Sequence, residues 1–240
     1  MSVFIFRLIP NKLMSRRRQK RERMRKIIIR AAQEAFTTQP YDSVNMDDIA
    51  DKALLSRATL YNYFDTKDTL YFEIGIENYK QMQQILPRIY EIEPTGLDKV
   101  MKLSIYVFQN IMRNSINYDI IRRFMEINNQ AERPIEETYD KLTPEELENM
   151  DPTNETVIVR YFHEVMKYLK IWEKIIETGQ KDGTIRSDLP PRHLTQIIQI
   201  FITGAIDQIV LQRNALKYIE LPIETVEKVL IETLRKTLEP

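Results

Sequence analysis

The stretch Ser56–Leu70 reads S-R-A-T-L-Y-N-Y-F-D-T-K-D-T-L and crowds polar chemistry into one short segment. Tyr61 and Tyr63 flank Asn62, Arg57 and Lys67 stand on either side, and hydroxyls recur at Ser56, Thr59 and Thr66. A helix built only for packing shows a cleaner apolar stripe, and one built only for solvent does not carry three aromatics in four residues. Phenol hydroxyls and cations at this density suit the oxygens of an anion. Lys67 sharpens the point. It follows Thr66, a helix N-cap residue, so it falls in a first turn where the helix dipole favours acids over bases. An anion there would meet both the ammonium and the free backbone N–H groups of the turn. The plainer alternatives are a packed Tyr63 and a solvated Lys67.

Other chemistry is thinly supplied. The chain has no cysteine, which removes disulfides, thiol nucleophiles and Cys-ligated zinc. Its two histidines are His163 and His193, and no spacing joins them to carboxylates as a metal set. No glycine-rich phosphate loop or nucleophile motif is present. The glutamates at 136–137 and 145–148 read as solvated or helix-start residues. No enzyme activity, metal or cofactor is expected.

The elements that must position these residues are helical. Only 5 glycines occur in 240 residues, and Leu, Ile, Glu, Lys, Arg and Gln are plentiful. Apolar residues make up 43% of the chain, enough for a core. The formal charge is zero, yet residues 1–30 hold eleven cations against Glu22 alone, a charge of +10 that the rest must balance with −10. A basic end on an acidic body points to an anionic polymer or membrane at that end. The apolar start, M-S-V-F-I-F-R-L-I-P, is broken by Arg7 and Pro10 and no cleavage site follows, so a cytoplasmic location without a membrane span is expected.

A helix is predicted from about Arg16, ending before Pro40. Asn45 with Asp48 three residues on resembles a capping box for a second, two-turn helix. After a break at Ala53-Leu54-Leu55, Ser56 caps a third helix, Arg57–Phe64. Thr66 caps a longer one that ends before Pro87. Two short helices, a tight turn and a third cap within about 25 residues are the layout of a helix-turn-helix. Beyond it, helices are predicted at 97–113, 117–130, from Val157 through Trp172 to Gly179, from Pro190-Pro191 to about Asn214, and from Pro222 to about Thr237. T-P-E-E at 143–146 opens a short one. The expected fold is all-α. Residues 1–15 are an expected disordered tail, with Met14 the expected natural start. Residues 16–70 form the helix-turn-helix domain, leading into a connecting helix at 66–86, and 71–240 form a larger helical domain.

The motifs M-D-D-I-A-D-K-A and S-R-A-T-L-Y-N-Y-F-D-T-K-D-T-L resemble the TetR family of transcriptional regulators. Ile49-Ala50, Ser56, Leu60-Tyr61, Tyr63-Phe64 and Lys67 supply that family's pattern in register. The similarity covers roughly residues 22–82. One position departs: Leu54 stands where the family usually has a turn glycine, which tolerates positive φ.

The resemblance implies a DNA-binding regulator, most simply a ligand-released repressor acting as a homodimer on a palindromic operator. Arg57, Ala58, Thr59 and Asn62 are then the base-edge readers at the start of the recognition helix. Tyr61, Tyr63 and Lys67 grip phosphate, and Asn45 and Ser56 cap helices and reach phosphates. The basic arm of Arg16, Arg17, Arg18, Lys20, Arg21 and Arg23 adds non-specific attraction or enters a minor groove. Family members bind small organic ligands in the larger domain. Here Tyr106, Phe108, Met112, Phe124, Met125, Phe162, Met166 and Trp172 are the candidate lining for a mostly apolar ligand, although aromatics at helical spacing are more often core. The segment I-I-Q-I-F-I-T-G-A-I-D-Q-I-V, apolar on more than one face, is the candidate dimer helix. Ile198, Ile202, Ala205, Ile206 and Ile209, with Trp172, are expected to meet their twofold mates. A regulator activated by its ligand, and a basic-tailed adaptor for RNA or membrane, are the alternatives.

Overall fold

The computed structural model describes residues 16–113, 115–130 and 155–240, and these form ten α-helices and no strand. The tail at 1–15, the start at Met14 and the short helix expected at 143–146 lie outside the described residues. Two compact units divide between Leu70 and Tyr71.

In the first unit α1 (Arg16–Thr38) buries Ile28, Ala31, Ala32, Ala35 and Phe36, one stripe at helical spacing. Its other face, and its whole first turn, is solvated. After Pro40 a single 3-10 turn (Tyr41–Ser43) leads to α2 (Met46–Lys52) and α3 (Arg57–Tyr61). Asn45 and Asp48 form the expected capping box, each accepting a backbone N–H from the other at 2.9 Å. Helix α3 is shorter than the sequence implied. Tyr63 and Phe64 both return their N–H groups to the Leu60 carbonyl, which closes the helix before Phe64. Thr66 then accepts the Thr69 N–H at 3.0 Å and starts α4 (Lys67–Ile92).

Helix α4 runs past Pro87 instead of ending before it. Proline removes one helical N–H and crowds the preceding turn, but Leu86 and Ile89 continue the buried stripe through the site, and their burial holds the helix together. The second unit adds α5 (Gly96–Arg113), α6 (Ser115–Gln130), α7 (Val157–Lys181), α8 (Pro191–Leu211), α9 (Arg213–Tyr218) and α10 (Ile223–Leu238). Trp172 on α7 is fully buried among residues of α5, α8 and α10. Gly96 on α5 lies against Gly179 on α7 so closely that a Cβ there would stand 2.1 Å from the Gly179 nitrogen. Asp182 and Thr184 accept the Gly96 and Leu97 N–H groups at 2.7 and 3.2 Å, satisfying the first donors of α5. Helix α8 is long and apolar enough to cross a membrane, but Leu194, Ile198, Ile202, Ile206 and Ile209 pack it into the core.

Candidate DNA-binding surface and internal cavity

The turn between α2 and α3 is a Schellman motif. Leu55 donates to the Ala50 carbonyl at 2.9 Å and Leu54 to the Asp51 carbonyl at 3.0 Å. That geometry needs a left-handed residue, and Leu54 takes it at φ 56° with its side chain 91% exposed. The missing glycine leaves the turn its usual hydrogen bonds, at the cost of a crowded Cβ.

Ser56 caps α3 by accepting the Thr59 N–H at 3.2 Å, and its hydroxyl meets the Thr59 hydroxyl at 2.8 Å. Leu60 and Phe64 are fully buried, so the opposite face of α3 is presented outward. Arg57, Ala58, Tyr61 and Asn62 are exposed there, and Thr59 and Tyr63 are half-buried. Arg57 pairs with Asp47 at 3.0 Å and covers the Tyr61 ring at 5.6 Å. Both partners of that ion pair are largely solvated, so it is weak and Arg57 can exchange Asp47 for another acceptor. Arg25 lies over the Phe64 ring at 4.6 Å and Arg21 over the Tyr63 ring at 6.0 Å. These contacts tie the basic helix to the turn after α3. Arg16, Arg17, Arg18, Lys20, Arg21 and Arg23 are all exposed along the helical start of α1.

Lys67 has a structural job that the sequence did not reveal. Its ammonium donates to the Tyr41 and Val44 carbonyls at 2.8 and 2.9 Å and sits 4.1 Å from the Tyr41 ring centroid. Tyr41 in turn donates to Asp68 at 2.6 Å and stacks on Phe36. The cation that looked misplaced in a first turn is answered mainly by carbonyls of the 3-10 turn.

Two family models match this chain. The model described as "Bacterial regulatory proteins, tetR family" matches residues 28–74, the helix-turn-helix just described, and that described as "YsiA-like protein, C-terminal region" matches residues 147–232. The chain belongs to the TetR family. A curated relative of this TetR chain, the HTH-type transcriptional regulator YhgD of Bacillus subtilis, is 24% identical over 183 residues, covering 76% of this chain and 83% of that protein. Among solved structures, FadR of Bacillus subtilis in complex with stearoyl-CoA matches with a TM-score of 0.59 at 18% identity, covering 89% of this chain and 99% of that one. A transcriptional regulator of Saccharomonospora viridis in complex with choline matches with a TM-score of 0.67 at 14% identity, covering 91% and 99%. These likenesses establish the TetR fold.

In the second unit of this TetR chain the structure corrects two sequence expectations. Of the eight candidate pocket residues, Phe108 and Met112 border a cleft beside α10, and none lines a smaller cavity among α4, α5, α6, α7 and α8. Phe108, Phe124, Phe162 and Trp172 are buried core, with Phe124 stacked on Phe162 at 5.6 Å between ring centroids. Met125 is exposed, Tyr106 and Met166 are half-buried elsewhere, and Phe108 and Met112 border the cleft beside α10. The smaller cavity, of about 50 Å³, lies between α4, α5, α6, α7 and α8. Its polar wall is Asn78, Asn110, Asn117, Tyr168, Gln199 and Thr203. The sequence signal for these was present but faint: single amides interrupting apolar stripes, as Gln199 does in I-I-Q-I-F-I.

The second correction concerns α8. Ile198, Ile202, Ile206 and Ile209, with Trp172, are consumed by the chain's own core and have no surface to offer a partner, and Ala205 is only half-buried beside them. The exposed apolar face is another one, carrying Ile197, Ile200, Gly204 and Leu211. Both faces are apolar, and periodicity alone does not say which one faces the core.

Proposed function

We propose that this DNA-binding transcriptional regulator acts as a homodimer on a palindromic operator and is released from it by a small ligand. The observation that carries the DNA half is the outward face of α3, where Arg57, Ala58 and Asn62 stand together on a helix held by the buried Leu60 and Phe64. Arg57 suits a guanine edge, Asn62 an adenine edge and Ala58 a thymine methyl. Tyr61 and Tyr63 offer hydroxyls to flanking phosphates, and the solvated cations of α1 add attraction that falls with salt. Lys67 contributes chiefly by holding the 3-10 turn in place.

The dimer rests on the solvated face of α8. Ile200 is 62% exposed and Leu211 68%, and a Cβ on Gly204 would meet nothing within 4 Å. A second copy of α8 fits such a stripe, because its apolar area leaves water only when covered. Solved structures of this fold hold ligands as unlike as stearoyl-CoA and choline, so the ligand must be argued from this chain's own cavity. Light scattering tests the assembly. The wild type is expected to be a dimer and Ile200→Glu a monomer with at least tenfold weaker operator binding, whereas a monomeric wild type at micromolar concentration overturns the reading.

A further inference from the structure

The cavity between α4 and α8 has a chemical character beyond its shape. Among the described residues, no charged side chain lines it. Apolar walls come from Met82, Val107, Ile111, Ile120 and Ile121. On one side, Asn78 donates to Asn117, and Asn117 donates to Asn110 at 2.7 Å, a chain of neutral amides joining α4, α6 and α5. On the other side stand Tyr168 and Gln199.

Those two are unusual. The Tyr168 hydroxyl and Gln199 Nε2 are buried and meet no partner in good hydrogen-bond geometry among the described residues. Tyr168 is 96% buried, and burial raises its pKa well above the ordinary phenol value. Trp172 and Gln199 lie near enough to moderate that rise without reaching hydrogen-bond geometry. The hydroxyl is therefore neutral at any physiological pH and is a donor without an acceptor. Buried donors of this kind cost stability unless something satisfies them.

The geometry points to an uncharged, carbonyl-bearing apolar molecule as the cavity's ligand, its oxygen accepting from the Tyr168 O–H and the Gln199 N–H. The inference rests on the ligand-responsive reading above and narrows that ligand's class. A carboxylate, phosphate or ammonium would enter an apolar cavity with no countercharge and lose its hydration uncompensated. Space of about 50 Å³ is that of one or two waters, so a ring-sized molecule enters only if a wall side chain yields. Met82, unbranched and flexible, is the side chain best able to yield to something longer.

The test uses the full chain with cyclopentanone, and cyclopentanecarboxylate and cyclopentylamine as charged counterparts. Binding is followed by ligand-observed NMR and by emission of Trp172, the chain's one tryptophan, whose ring packs edge-on to Tyr168 at 6.0 Å. The ketone is expected to bind saturably and the charged probes not to bind. Tyr168→Phe should weaken the ketone about three- to tenfold, the loss of one neutral hydrogen bond. The same variant should raise the ligand-free Tm by about 2–4 °C, because an orphaned donor is removed. A hydroxyl with a structural partner would lower it, so a fall in Tm overturns the assignment. So does equal ketone binding by the variant, equal or tighter binding of a charged probe, or no binding by any probe. If the ketone saturates the cavity but leaves operator affinity unchanged, the site stands and the ligand-responsive reading fails. If a cell-extract compound releases operator equally from wild type and Tyr168→Phe, that reading stands and this site fails.

Discussion

Leu54 shows how one residue can carry strain without a change of fold. Its left-handed backbone at φ 56° completes two turn hydrogen bonds that a glycine would complete without a Cβ. Leu54→Gly should stabilise the protein by about 0.5–1 kcal/mol, the relief of the crowded Cβ less the entropy that glycine adds to the unfolded chain. Urea denaturation measures this, and a destabilised variant would mean that the exposed leucine makes a contact worth more than its strain. Lys67 and Tyr61 separate two roles that look alike in the sequence. Lys67→Met leaves the Tyr41 and Val44 carbonyls without their charged donor and should cost about 2 kcal/mol of stability. Tyr61→Phe should leave stability within about 0.5 kcal/mol and weaken operator binding severalfold, because the exposed ring keeps its place and loses only its hydroxyl.

At the level of elements, the junction of α5 with α7 depends on two glycines in unequal ways. A Cβ on Gly96 meets the backbone of Gly179 at 2.1 Å, whereas a Cβ on Gly179 meets the side chain of Ile185 at 2.4 Å. Backbone cannot yield and a side chain can, so Gly96→Ala should cost about 3 kcal/mol and Gly179→Ala less. Thermal denaturation of the two variants gives the order. Helix α7 also carries a pH dependence. Burial lowers the pKa of His163, the charge of Lys167 lowers it further and Glu164 opposes. The unfolded imidazole takes a proton below about pH 6.5 while the folded one still resists it. Stability is therefore full above that pH and declines as the pH falls from about 6.5 toward the lower folded value. His163→Gln should flatten that part of the pH profile, measured by urea titration. An unchanged slope would assign it to another group.

Taken as a whole molecule, the all-α architecture and the helix-turn-helix were legible because caps and apolar spacing are local signals. Asn45, Ser56 and Thr66 each cap the helix they announced. What was not legible is non-local. The run through Pro87 is decided by burial of Leu86 and Ile89, not by the proline itself. The task of Lys67 depends on carbonyls more than twenty residues away, which no spacing rule reveals. Four aromatic candidates for the pocket, Phe108, Phe124, Phe162 and Trp172, are buried, and the smaller cavity's polar wall is drawn from five helices, each contributing a residue or two. The two apolar faces of α8 look alike in sequence, and only the packing shows that Ile198, Ile202, Ile206 and Ile209 belong to the chain's own core. On the proposed function, two copies of α3 joined through α8 are expected to read two halves of one symmetric sequence about 34–36 Å apart. Selection of bound duplexes from a random pool tests it most directly. An enriched inverted repeat with half-sites one helical turn or a multiple apart, lost in Ile200→Glu, is the expected result. Recovery at low salt of no common sequence, or of a single unrepeated half-site, would contradict it.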